Sequence, residues 1–127
     1  MAKVKFLVDT DIFINYMNLG SQRTLFHGKG FEIYYSIITK KELLSKPGLK
    51  DSERRAILSV LKRYRIIPLN RQITDVYSDL RRNYPFLEKE DTLIAATALV
   101  WDLPIITQNW KHYKVVEGLK IFSGIGL

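Results

Sequence analysis

The chain has no cysteine among its 127 residues and only two histidines. Disulfide bonds and thiolate metal sites are therefore excluded, while a reducing cytosol is compatible with the composition. His27 and His112 are too few and too isolated for a histidine-rich zinc centre. The longest apolar stretch, residues 93–101, falls well short of the roughly 20 residues that span a bilayer. The N-terminal apolar run is short and interrupted by Asp9 and Asp11, which argues against a signal peptide.

The remaining composition is that of an ordinary globular protein with an excess of positive charge. Hydrophobic residues make up 46% of the chain and charged residues 26%, which is typical of one domain with a single core. The net charge is +7. Such a charge favours an anionic partner, most often a nucleic acid, although a basic but inert surface is the alternative. We expect residues 1–127 to form one cytoplasmic domain.

Two carboxylates follow the first apolar run of the chain. Asp9 ends a run with the length of a buried strand, and after Asp11 apolar residues recur at helical intervals. This pattern predicts a strand, a tight turn and a helix, with the turn at the carboxyl end of the strand, where open parallel sheets bind ligands. A buried carboxylate is costly without a cation beside it. Asp9 is therefore interpreted as functional, whereas Asp11 is either functional or a helix N-cap.

The rest of the chain alternates between strand and helix patterns. The predicted strands are 4–8, 31–38, 66–69, 104–107 and a possible fifth over 119–123, and the predicted helices are 12–19, 39–44, 51–64, 71–84, 88–101 and a short one from Asn109 to Tyr113. Gly20 is placed to end the first helix. Repeated strand–helix units predict an α/β fold with a central parallel sheet of four to five strands, covered by helices on both faces.

Polar residues follow several of these predicted strands. Glu42 lies in the helix after the second strand, Asp91 begins an almost wholly apolar helix, and Thr107 and Asn109 follow the fourth strand. The parallel topology brings them to one edge of the sheet together with Asp9. Clustered carboxylates repel one another unless one is protonated or a cation is present, and hard oxygen ligands favour Mg²⁺ or Mn²⁺. A metal-bound water could then attack a phosphodiester.

Several of these residues also have purely structural interpretations. Thr39 and Glu42 have the spacing of a capping box. Glu88 and Glu90 are placed to favour the positive end of a helix dipole, and Asn109 is a possible N-cap.

Trp110 and Tyr113 are interpreted as packing residues rather than base-stacking platforms, and His112 as a surface or helix-end histidine. Most helical arginines belong to solvated faces, but a basic subset could hold phosphates. The residues expected to bind RNA are Lys46, Arg54, Arg55, Arg81 and Arg82.

Four segments together carry a resemblance to a known family. They are residues 8–14 (VDTDIFI), 36–43 (SIITKKEL), 91–98 (DTLIAATA) and 106–113 (ITQNWKHY). In their order and separations the chain resembles the PIN-domain ribonucleases, and in size the VapC toxins of prokaryotic toxin–antitoxin pairs.

The resemblance implies an α/β/α sandwich with an acidic, magnesium-dependent active site. Asp9, Glu42 and Asp91 then look like the three core acidic residues that hold the metal, and Thr10 and Thr107 like the hydroxyl residues that orient the site. Asn109 stands where many relatives carry a fourth aspartate, which puts a firmly held second metal in doubt. The resemblance also implies an RNA substrate, a homodimer and a cognate VapB-like antitoxin.

Two other functions stay open at this point. The first is a PIN-like module that binds nucleic acid without cutting it, which the asparagine at position 109 permits. The second is a haloacid-dehalogenase-like phosphatase that uses Asp9 as nucleophile and Asp11 as general acid. Phe13 fits that second motif poorly, and the later paired-aspartate motif is missing.

Overall fold

A parallel sheet with the strand order β3-β2-β1-β4-β5 forms the centre of the computed structural model, which describes residues 2–125. Its strands are β1 (Val4–Val8), β2 (Phe31–Ser36), β3 (Arg65–Ile67), β4 (Ile105–Ile106) and β5 (Ile121–Phe122). Leu7 of the middle strand pairs with Tyr34 of β2 and Ile105 of β4. The predicted α/β fold and its parallel sheet are confirmed.

Seven helices connect or flank the strands within the described residues. They are α1 (Thr10–Leu19), α2 (Arg23–His27), α3 (Ile37–Leu44), α4 (Asp51–Leu61), α5 (Arg71–Asn83), α6 (Lys89–Trp101) and α7 (Trp110–Tyr113). Gly20 ends α1 with a φ of +70°, as predicted, because glycine adopts this left-handed conformation without steric cost. No helix in residues 2–125 is both long and apolar enough to cross a bilayer.

The two faces of the sheet are buried in separate hydrophobic cores. Side chains alternate along β1, so that Leu7 contributes to one core while Phe6 and Val8 contribute to the other. The first core contains α5 and α6, and the second contains α1, α2 and α4. Ala95 and Ala96 of α6 are fully buried, and their small side chains let this helix approach the sheet closely. Its first turn therefore lies beside the carboxyl ends of the strands.

One boundary differs from the prediction in a way that affects the site. The second strand ends at Ser36 rather than at residue 38, because the Ser36 hydroxyl accepts a hydrogen bond from the Ile38 N–H and caps a helix that starts at Ile37. Thr39 is buried inside that helix, so the predicted capping box between Thr39 and Glu42 is wrong. The remaining boundaries differ from the prediction by three residues or fewer.

Candidate active site

Asp9 occupies the junction between β1 and α1. Its N–H donates to the Ile106 carbonyl at 2.9 Å, so the residue continues the sheet, while its side chain caps α1 by accepting from the Thr10 N–H at 2.8 Å. The other carboxylate oxygen accepts from the Thr107 hydroxyl at 2.8 Å. Only 5% of Asp9 is exposed. Burial, followed by the charge of Asp11, raises the pKa of Asp9 to about 7, so its ionised form is costly in the absence of a cation.

Asp11 lies in the first turn of α1 and contacts the segment after β4. Its Oδ2 accepts from the Gln108 N–H at 3.0 Å and lies 3.5 Å from the Thr107 hydroxyl. Its Oδ1 is buried and has no hydrogen-bond partner among the described residues. Burial raises the pKa of this carboxyl too. The N-cap role predicted for Asp11 is wrong, because Asp9 holds that position.

Glu42 reaches the same edge of the sheet from α3. Its Oε1 lies 2.6 Å from the Thr10 hydroxyl, which in turn lies 3.0 Å from the Thr39 hydroxyl. Desolvation raises the pKa of Glu42, and the charge of Asp91 raises it further. Thr10 therefore contacts a carboxylate that belongs to another element.

Asp91 projects from the first turn of α6. Its Oδ1 accepts a hydrogen bond from the Tyr113 hydroxyl at 3.2 Å, and its Oδ2 lies 3.5 Å from the Asn109 side-chain nitrogen. The exposed His112 ring is 3.9 Å from Oδ2. Asn109 precedes α7, but its side chain makes no capping hydrogen bond. The capping interpretation of Asn109 is therefore not supported, and its amide faces Asp91 instead.

These side chains line a single open cavity of about 370 Å³, called the acidic cavity below. Its lining residues are Asp9, Thr10, Asp11, Ile14, Glu42, Asp91, Gln108 and Asn109. Four carboxylates and two amide side chains supply hard oxygen donors of the kind that Mg²⁺ and Mn²⁺ prefer. The unpartnered Oδ1 of Asp11 adds a buried oxygen that a cation would satisfy. Within residues 2–125, however, no group of three or more acidic or histidine side chains is arranged to hold an ion as the side chains stand.

The residues expected to bind RNA lie outside this cavity. Arg54 and Arg55 are exposed on α4, and Lys46 is paired with Glu53 at 3.6 Å. The other two arginines already interact with groups of the chain itself. The Arg81 guanidinium donates to the Leu87 carbonyl, and Arg82 forms a salt bridge with Asp79.

Three contributions to the site were not anticipated from the sequence. The Tyr113 hydroxyl holds Asp91, the Gln108 N–H holds Asp11, and Thr39 contacts Thr10. Tyr113 is buried, as predicted, and a tyrosine where phenylalanine would suffice for packing indicates a hydrogen-bond partner. The backbone contact of Gln108 leaves no signal in the sequence. Trp110, also interpreted as a packing residue, is 42% exposed.

Fold and cavity together define an α/β protein whose acidic cavity lies at the carboxyl ends of a parallel sheet. The family model described as the PIN domain matches residues 6–118, and the chain belongs to this family. It is 30% identical over 126 residues to the ribonuclease VapC1 of Methanocaldococcus jannaschii, covering 94% of this chain and 88% of that protein. It is 31% identical over 121 residues to the ribonuclease VapC10 of Mycobacterium tuberculosis, covering 90% of each.

Solved structures confirm the same fold. A toxin–antitoxin complex from Klebsiella pneumoniae contains a chain that superposes with a TM-score of 0.77 at 24% identity, over 96% of this chain and 99% of that one. VapBC2 from Rickettsia felis, bound to a DNA fragment from its promoter, gives a TM-score of 0.76 at 21% identity, over 94% and 98% of the two chains.

Proposed function

We propose that this protein is a metal-dependent endoribonuclease and the toxin of a VapBC-type toxin–antitoxin pair, acting in the cytoplasm. The observation that carries the proposal is the convergence of Asp9, Glu42 and Asp91 on one cavity. These residues come from the β1–α1 junction, α3 and α6, which are far apart in sequence. The curated relatives of the chain are named as VapC ribonucleases.

Asp9, Glu42 and Asp91 are the residues that would hold Mg²⁺ or Mn²⁺. When bound, such an ion neutralises phosphate charge and lowers the pKa of a coordinated water, which makes that water a nucleophile. The protein's own groups hold the carboxylates in place. Thr107 donates to Asp9, Thr10 contacts Glu42, and Tyr113 donates to Asp91. Small movements of Glu42 and Asp91, both half-buried, would complete the ligand set.

A non-cleaving RNA-binding module is the second candidate. Two observations favour it: Asn109 supplies no charge, and the described acidic side chains do not form a ready metal site. The phosphatase alternative has lost its basis, because the chain belongs to the PIN-domain family.

Incubation with total RNA separates the two candidates. New RNA ends, mapped by sequencing, should appear with Mg²⁺ or Mn²⁺ and vanish with chelator. They should also vanish in Asp91→Asn and persist in Glu90→Gln, which removes a carboxylate from the same turn of α6 but outside the acidic cavity. RNA binding without new ends in either metal would establish the non-cleaving module.

The expected partners are tested separately. A small DNA-binding antitoxin encoded directly upstream should co-purify with the chain and suppress the new RNA ends. Light scattering of the purified protein should give twice the chain mass if the expected homodimer forms.

A further inference from the structure

An exposed aromatic residue follows Asn109, one of the residues that line the acidic cavity. Trp110 begins α7, immediately after Asn109, and 42% of its surface is exposed. Together with Lys114, Ile121 and Ser123 it lines a second cavity of about 400 Å³, called the tryptophan pocket below.

Two cations lie close to this ring. The ammonium groups of Lys111 and Lys114 are 5.8 Å and 5.3 Å from the ring centroid, within the range of a cation–π interaction. Neither forms a salt bridge with a carboxylate within residues 2–125. Two positive charges are thus held at an aromatic face and remain available to an anion.

The two cavities adjoin through Gln108. This residue lines the acidic cavity, and its side-chain nitrogen donates to the Ser123 carbonyl at 2.8 Å. Ser123 in turn lines the tryptophan pocket. A strand of nucleic acid that leaves the acidic cavity over Gln108 would reach the tryptophan pocket next.

The negative charge of the acidic cavity means that RNA needs binding contacts outside it. Four carboxylates repel the phosphates of RNA, so affinity must come from contacts outside the cavity. Aromatic rings bind single-stranded nucleic acid because every base has a face that can stack, and lysines beside them bind the phosphates. An exposed ring with two lysines supplies both contacts at once.

The other tryptophan is a natural control. Trp101 is 45% exposed but packs against Tyr34, at a ring separation of 5.9 Å. It ends α6, ten residues after Asp91, which is about 15 Å along a helix. Trp101 and Trp110 are similarly exposed. An effect of RNA on Trp110 that is absent for Trp101 therefore reflects the position of the ring and not its exposure.

We propose that Trp110, Lys111 and Lys114 form a platform that binds one nucleotide of single-stranded RNA next to the phosphate placed in the acidic cavity. The base stacks on Trp110, and the two lysines contact the backbone. The proposal rests on the proposed function only in taking RNA as the substrate.

The two tryptophans allow a direct test by fluorescence. Trp101→Phe leaves Trp110 as the sole indole, and Trp110→Phe leaves Trp101. Both chains carry Asp9→Asn to prevent cleavage and are titrated with a mixed-sequence 12-nucleotide RNA in Mg²⁺. We expect saturable quenching of the Trp110 emission and no change in that of Trp101. Equal quenching of both, or no quenching of Trp110 at saturating RNA, would overturn the platform.

Affinity gives a second readout that does not depend on fluorescence. Trp110→Ala should weaken RNA binding about tenfold, the lower range for one stacked base, whereas Trp101→Ala should leave it unchanged. Replacing Lys111 and Lys114 together by glutamine should reduce the slope of log affinity against log salt by about 1.4. Unchanged RNA affinity in Trp110→Ala contradicts the proposal. Tighter binding of an apolar peptide than of RNA at Trp110 contradicts it too.

The outcome for the platform can be distinguished from that for the proposed function. A wild-type chain that binds RNA through Trp110 but never cuts it would refute the ribonuclease and leave the platform standing. A wild-type chain that cuts RNA with the same KM as Trp110→Ala would refute the platform alone.

Discussion

The acidic cavity has two unlike walls. The strand wall, formed by the ends of β1 and β4, carries Asp9, which is 5% exposed and has both oxygens hydrogen-bonded. The helix wall, formed by α3 and α6, carries Glu42 and Asp91. The side chain of Asp91 is 21% exposed, and one of its oxygens has only long contacts to Asn109 and His112. Charge is therefore most costly on the strand wall, while the helix wall is freer to exchange ligands.

This difference assigns separate tasks to the two walls. A cation would lower the free energy of ionised Asp9 more than that of any other carboxylate in the cavity, because Asp9 is the most deeply buried of them. Asp91 and Glu42, with more solvent around them, can adjust to a metal or to a phosphate. Substitutions on the strand wall should therefore affect metal-free stability as well as activity, and those on the helix wall mainly metal binding.

The largest effect is expected for Asp9→Asn. Cleavage should fall by ~100-fold or more, since removal even of a group that only supports a metal ligand commonly costs 10–100-fold. Circular dichroism should show the fold intact, because the amide oxygen can still accept from the Thr10 N–H. Full activity in the folded variant would remove Asp9 from the proposed metal site.

The pH dependence of stability should show the same asymmetry. The pKa of Asp9 is about 7 in the folded chain and 3.8 as its reference value, so the folded state binds more protons between these pH values. The stability that protonation of Asp9 contributes to the metal-free protein is therefore fully present below about pH 4 and lost as the pH rises through 7. The loss is ~4 kcal/mol at about 1.36 kcal/mol per pKa unit. Urea unfolding in chelator at several pH values measures this change. Asp9→Asn should flatten the curve, and an unchanged slope in that variant would contradict the assignment.

Substitution of Asp91 on the helix wall should reduce the stabilisation of the protein by metal. Mg²⁺ or Mn²⁺ at ~100 times its dissociation constant should stabilise the wild-type protein by about 2.7 kcal/mol. Asp91→Ala should lose most of that gain, while Glu90→Gln keeps it. An equal thermal shift in wild type and Asp91→Ala would show that the metal binds elsewhere.

Much of this arrangement could be predicted from local pattern. The abrupt end of an apolar run at Asp9 and the apolar α6 after Asp91 placed both residues correctly at the sheet edge, because strand and helix periodicities are local properties. The predicted start of α3 is wrong because Ile37 and Ile38 have side chains that favour a strand. The hydrogen bond from the Ile38 N–H to the Ser36 hydroxyl starts the helix at Ile37 instead. Which hydroxyl faces which carboxylate, as for Thr10 and Glu42, depends on packing between distant elements and has no local signal.

Asn109 tests whether the two walls share a single ion. Its side-chain nitrogen lies 3.5 Å from Asp91 Oδ2, and its backbone N–H donates to the Thr107 hydroxyl at 2.9 Å. Asn109 therefore contacts both walls. Asn109→Asp replaces that amide by a second negative charge beside Asp91. Without metal, the added repulsion should destabilise the fold slightly. With metal, the added opposite charge should tighten Mn²⁺ binding several-fold, roughly 1 kcal/mol for a partly exposed pair.

Calorimetric titration of Mn²⁺ without RNA measures this change, and Asp11→Asn supplies its counterpart. Asp11→Asn keeps an oxygen for the Gln108 N–H but removes a charge from the first turn of α1, next to the strand wall. It should therefore weaken Mn²⁺ binding. The double variant restores the wild-type number of carboxylates. Affinity near the wild-type value in the double variant would mean that total charge in the cavity governs binding. Affinity close to that of either single variant would mean that one wall dominates.

Identical affinity and stoichiometry in wild type and Asn109→Asp would place Asn109 outside the metal site, because an aspartate in contact with a shared ion cannot leave its binding unchanged.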